Sequence, residues 1–98
     1  YGHLAELSDC FYLCRDGHGD EAAKMARMAF DNLARTARGD FMTRLWLFYD
    51  AYVFARTMEL AGDISEAVRG YRACIEANPY TELAERSRQR LKLLNRQH

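Results

Sequence analysis

Proline occurs once in the 98 residues, at Pro79, and glycine only six times. That scarcity leaves no flexible linker, no low-complexity segment and no Gly-rich phosphate loop, and it removes the commonest breakers of long helices. Cysteine is sparse and odd in number: Cys10, Cys14 and Cys74. Cys10 and Cys14 lie one helical turn apart, where side chains run parallel and a bridge would be strained. A disulfide framework is therefore not expected, and reduced, half-buried thiols in a cytoplasmic protein are. Neither sign of charge prevails, since fourteen basic and fourteen acidic side chains cancel. The chain as a whole exerts no broad pull on nucleic acid or an anionic membrane. It has no signal-peptide-like start and no charge-free span of membrane length. No stretch alternates with period two for long enough to form a sheet. G-x-S-x-G and paired-carboxylate arrangements are missing too, so no catalytic residue is identified and no enzyme is expected.

What the chain does have is a long apolar-dominated run, Phe41 to Leu60, holding the sole tryptophan, Trp46, with Phe48, Tyr49, Tyr52 and Phe54. At 100° per residue, Leu47, Ala51, Phe54, Ala55 and Met58 form one stripe. Phe41, Leu45, Tyr49 and Tyr52 form another on the far side, with Trp46, Val53 and Leu60 between. A helix apolar nearly all round must be covered from more than one direction. Arg44, Asp50, Arg56 and Glu59 are spread through it, which argues against a membrane span and for the central helix of a soluble domain.

Gly-Asp pairs punctuate the pattern at Gly19-Asp20, Gly39-Asp40 and Gly62-Asp63, with a fourth break at Asn78-Pro79. Glycine can close a helix in the left-handed conformation and aspartate can cap the next. The spacing predicts five helices, about 2–16, 20–38, 40–61, 63–78 and 80–95. Leu4, Leu7, Phe11 and Cys14 follow helical spacing in the first. Ala22, Ala26, Ala29, Leu33 and Ala37 line the second, beside Phe30 and Ala34. Its opposite face offers Arg27–Asp31 and Asp31–Arg35 as pairs four apart. The fourth opens with Asp63 and Glu66 spaced as a capping box and buries Ile64, Ala67, Val68, Tyr71, Cys74 and Ile75. The fifth carries Tyr80, Ala84, Leu91 and Leu94 on one face. Short turns between the helices predict antiparallel neighbours in an all-α domain. The chain opens on Tyr1 and not on methionine, as expected of a fragment of a longer protein.

Ala51, Phe54, Ala55 and Met58, followed by Ala67, Tyr71 and Pro79, resemble the tetratricopeptide repeat, whose pattern runs W-x2-L-G-x2-Y, then A-x3-F and a terminal P. Small residues at Ala55 and Ala67 would let the two helices of a hairpin approach closely. Leu4, Leu7, Ser8 and Phe11 resemble the opening of an earlier repeat. Two extra residues then enter the turn, Ala22 takes the alanine position, and Ala26 stands where an aromatic belongs. The longer interval resembles repeats of the kinesin light chain type and helical sensor regions of some bacterial regulators. The resemblance implies one domain over 1–98: repeat 1 at about 1–39, repeat 2 at about 40–79, and a solubilising cap at about 80–95. It also implies a concave groove lined by the first helix of each hairpin, an interaction module with no cofactor, and a peptide or partner protein as ligand. The groove residues would be Asp9 and Tyr12, with Ala5, on the first helix, Tyr49, Tyr52, Arg56 and Glu59 on the central one, and Arg86 and Arg90 on the cap. Tyrosine and arginine are the residue types of binding hot spots. Tyr49 and Tyr52 read equally as groove or as core, whereas Phe41 and Leu45 read more readily as core. The basic–asparagine clamp of chaperone-binding relatives is not reproduced, which argues against a chaperone-tail receptor.

With only two repeats and a cap, self-association through the Phe41–Tyr52 face is expected to cover the central helix. An effector-sensing regulatory domain of a bacterial transcription regulator is the alternative. Other chemistry is weaker. His3, Cys10, Cys14 and His18 share a stripe, but a straight helix supplies at most two ligands to one ion, so no metal site is assigned. His18 reads as a solvated loop histidine. Asp50 is either a buried functional acid or, more commonly for such a residue, one that reaches an arginine or the solvent edge. The Arg86–Arg96 cations point several ways around their helix without interleaved aromatics, which disfavours nucleic acid.

Overall fold

The computed structural model describes Gly17 and residues 19–96. The described residues form four helices and no strand: α1 (Gly19–Thr36), α2 (Phe41–Ala61), α3 (Ile64–Ala77) and α4 (Glu82–Arg96). The helix predicted over 2–16 lies outside the described residues. Each helix packs on the next in the chain, and α4 also reaches back to α2. No helix among the described residues is long and apolar enough to cross a membrane.

The helix starts follow the predicted punctuation, with corrections in detail. Asp40 caps α2 by accepting from the backbone N–H of Thr43 at 3.3 Å and from the Thr43 hydroxyl. These bonds favour the charged carboxylate, the Thr43 hydroxyl most of all, and hold Asp40 below its ordinary pKa. Asp63 caps α3 through the N–H of Glu66 at 3.3 Å. Only that half of the capping box forms, because the Glu66 carboxylate turns to Arg69 at 2.7 Å. Asp20 is not a cap; it lies in the first turn of α1. Thr81 caps α4, accepting from Ala84 N–H at 3.1 Å. Of the three Gly-Asp glycines only Gly62 is left-handed (φ 83°), where N–H groups of Gly62 and Asp63 return to Glu59 and Met58 carbonyls. Gly39 keeps a negative φ, and the left-handed glycine before α1 is Gly17, not Gly19. Tyr80 is another departure: placed on the buried face by periodicity, it is 94% exposed in the turn before α4.

The core runs through α1, α2 and α3 and is closed by Leu94 of α4. Phe30 and Phe54 stack at 4.4 Å between ring centres. Arg69 lies over both rings at 5.3 and 5.2 Å while pairing with Asp31 of α1 at 3.1 Å. The intrahelical pairs predicted on α1 are thus replaced by pairs between helices, since Arg27 reaches Asp63 at 3.1 Å. Ala55 and Ala67 are both fully buried. Gly70 of α3 lies close against Ala55, where an added Cβ would lie 2.8 Å from the Ala55 Cβ and 3.0 Å from its Cα. Glycine inside α3 costs about 1 kcal/mol relative to alanine, and the close crossing of α2 and α3 is its physical return. Cys74 is also fully buried, facing Ser87 of α4; burial pushes its thiol pKa up, and the Ser87 hydroxyl partly offsets this.

Candidate interaction face

The far stripe of α2 is built by helical period alone: Phe41, Leu45, Tyr49, Tyr52, Arg56 and Glu59 fall on one side. The opposite stripe is fully buried at Ala51, Phe54, Ala55 and Met58, which fixes the helix rotation and turns the far stripe outward. Exposure then falls along the stripe. Phe41 is 64% exposed, Leu45 49% and Tyr49 40%, whereas Tyr52, Arg56 and Glu59 are half-buried, Tyr52 against Tyr71 of α3 and Glu59 against Arg90 of α4. This reverses the expected order, in which Phe41 and Leu45 were the better core candidates. Met42 and Trp46 are exposed on the adjacent stripe, and Trp46 stacks on Phe48 at 6.2 Å. Arg44 leans over the Phe41 ring at 6.0 Å.

At its inner end the stripe meets a polar cluster drawn from three helices. Glu59 accepts from the Tyr71 hydroxyl of α3 at 2.7 Å and binds the Arg90 guanidinium of α4 through both oxygens. Arg56 stands 3.7 Å from the same carboxylate. Tyr52 meets Tyr71 edge-on at 5.9 Å. Burial raises the Tyr71 pKa, and the nearby Arg56 guanidinium only partly counters it, so Tyr71 stays a neutral donor to Glu59. The fork on Glu59 leaves Arg90 charge-compensated and structural as well as partly accessible.

The structure therefore brings Tyr49, Tyr52, Arg56, Glu59 and Arg90 into one continuous face. Arg86 is exposed one turn before Arg90 and is held by Glu82 at 2.9 Å. Asp9 and Tyr12 lie outside the described residues, as do His3, Cys10, Cys14 and His18. Asp50 is fully buried and partnered, away from the solvent edge. Among the described residues no His, Cys, Asp and Glu group is arranged to hold a metal ion. Sequence reasoning missed Tyr71 as a member of the polar cluster, since aromatic periodicity assigned it wholly to the core. It also missed Gly70, although a glycine in mid-helix is itself a sign of close approach. Comparison of the chain with known protein families, with curated proteins and with solved structures finds no match.

Proposed function

We propose that this chain is a non-enzymatic interaction module that binds another polypeptide, or a second copy of itself, through the far stripe of α2. One observation carries the reading: Phe41, Met42, Leu45, Trp46 and Tyr49 are exposed together along two turns of one helix. With side chains of about 200 Å² each and roughly half of that open, they present about 500 Å² of largely apolar surface, at the upper end of what a monomer leaves uncovered. Tyr52 and Arg56 extend the patch toward the charged cluster and would give a partner orientation as well as apolar contact. We read the α2–α3 hairpin as tetratricopeptide-like. Support comes from six of the seven positions that carry the resemblance: Ala51, Phe54, Ala55, Met58, Ala67 and Tyr71 are each fully buried, whereas Pro79 is exposed.

Sedimentation at high micromolar concentration, together with a pull-down by the intact protein, tests the reading. Self-association lost on Trp46→Glu or Tyr49→Glu supports the second-copy form. Capture of a partner by the wild type and not by Arg56→Glu supports the hetero-partner form. A monomer that captures nothing through this face overturns the proposal.

A further inference from the structure

A second surface lies between α3 and α4 and plays no part in the face just described. There the two helices leave a groove of about 560 Å³. Its floor is aliphatic: Ile64 and Val68 from α3, Leu91 and Leu94 from α4. Arg72 and Lys92 stand at its rim, and none of the lining residues is acidic. Among the described residues neither cation makes an ion pair, although Arg69, Arg86, Arg88 and Arg90 all do. The neutral chain is in fact divided. Residues from Ile64 onward hold seven basic and four acidic side chains, against seven basic and ten acidic before it.

From these observations we infer that the α3–α4 groove is a docking site for an acidic amphipathic helix of another polypeptide. Ile64, Val68 and Arg72 follow one another at successive turns of α3, a length of about 12 Å at 1.5 Å per residue. That length matches two turns of a bound helix, whose apolar side chains at i, i+3 or i+4, and i+7 would cover the four aliphatic residues. Carboxylates flanking that stripe would meet Arg72 and Lys92, both of which are exposed. Nucleic acid fits less well, because the floor offers no aromatic ring for base stacking and only two cations for phosphates.

The test uses the full chain and a fluorescein-labelled synthetic helix with leucines at i, i+3 and i+7 flanked by glutamates, read by anisotropy. A second probe replaces each glutamate by lysine. The glutamate probe binds and the lysine probe does not. The double variant Arg72→Glu/Lys92→Glu weakens the glutamate probe by about tenfold or more, as two attractions become repulsions, and gains affinity for the lysine probe, a reversal that only a folded groove can give. Leu91→Ser weakens both pairings. Tyr49→Glu leaves glutamate-probe binding unchanged, which separates this groove from the α2 face. Equal binding of the two probes, indifference to the charge reversal, no binding at millimolar chain, or displacement of the probe by single-stranded DNA at equal concentration each overturns the inference.

Discussion

The two halves of α2 have nearly the same share of apolar side chains and different fates. From Ala51 to Met58 the helix is enclosed by α1, α3 and α4, and four of its apolar side chains are fully buried. In the first half Phe41, Met42, Leu45, Trp46 and Tyr49 stand in solvent, while Leu47 and Phe48 pack on the core. The difference is not hydrophobicity but cover. Gly70 and Ala55 let α3 settle onto the second half, and Arg90 ties α4 to it through Glu59. An apolar face that its own chain leaves open is available to another chain, and that is why the first half carries the proposed function.

The largest expected contrast between the halves comes from Phe54→Ala. The ring is fully buried and stacked on Phe30, so its removal costs about 3–5 kcal/mol in guanidinium unfolding. A loss below about 1 kcal/mol would mean that the second half is not the packed one. Gly70→Ala sharpens the point by its sign. In an open helix this change gains about 1 kcal/mol, but here the new Cβ meets the Ala55 backbone, and we expect a net loss of about 1–3 kcal/mol. A gain would show that α2 and α3 cross more loosely.

Next in size is a pH effect confined to the covered half. Tyr71 and Cys74 both have raised pKa values, chiefly through burial. The unfolded chain releases these protons first, at about 8.5 for the thiol and about 10 for the phenol, so it binds fewer protons than the native state above those values. Stability is therefore complete below that range and falls as pH rises through it toward the folded pKa values. Tyr71→Phe should flatten the upper part of the fall in unfolding midpoints measured across alkaline pH. An unchanged slope would mean that the phenol ionises alike in both states. The smallest effect belongs to the uncovered half: Leu45→Ser should change stability by no more than about 0.5 kcal/mol at low micromolar concentration, while weakening association. A loss as large as that of Phe54→Ala would mean that the stripe is covered in solution.

Much of the helical outline was legible from local signals. Asp40 and Asp63 sit where a cap was expected because capping needs only the next turn of the chain. The rotation of α2 was legible as well, since alanines and aromatics at helical spacing mark a packed side wherever the partner comes from. Less of the interaction face could be read. Tyr49 and Tyr52 are four and seven residues beyond Leu45 on one stripe, yet Tyr52 is half-buried against Tyr71 of α3 and Tyr49 stays exposed, and no pattern within α2 encodes that. The α1 ion pairs failed for the same reason. Arg27 and Asp31 are well placed for each other, but Asp63 and Arg69 come closer once three helices are assembled.

The amino-acid order by itself determined that the described residues are helical, where α2 and α3 start, and which side of α1, α2 and α3 turns inward, because those outcomes rest on caps and periodicity acting over a few residues. Tertiary packing alone decided that Gly70 meets Ala55, that Glu59 gathers Tyr71, Arg56 and Arg90, and that the first half of α2 and the groove beside Arg72 stay open. Those outcomes depend on how residues distant in sequence share space, and no local propensity carries that information.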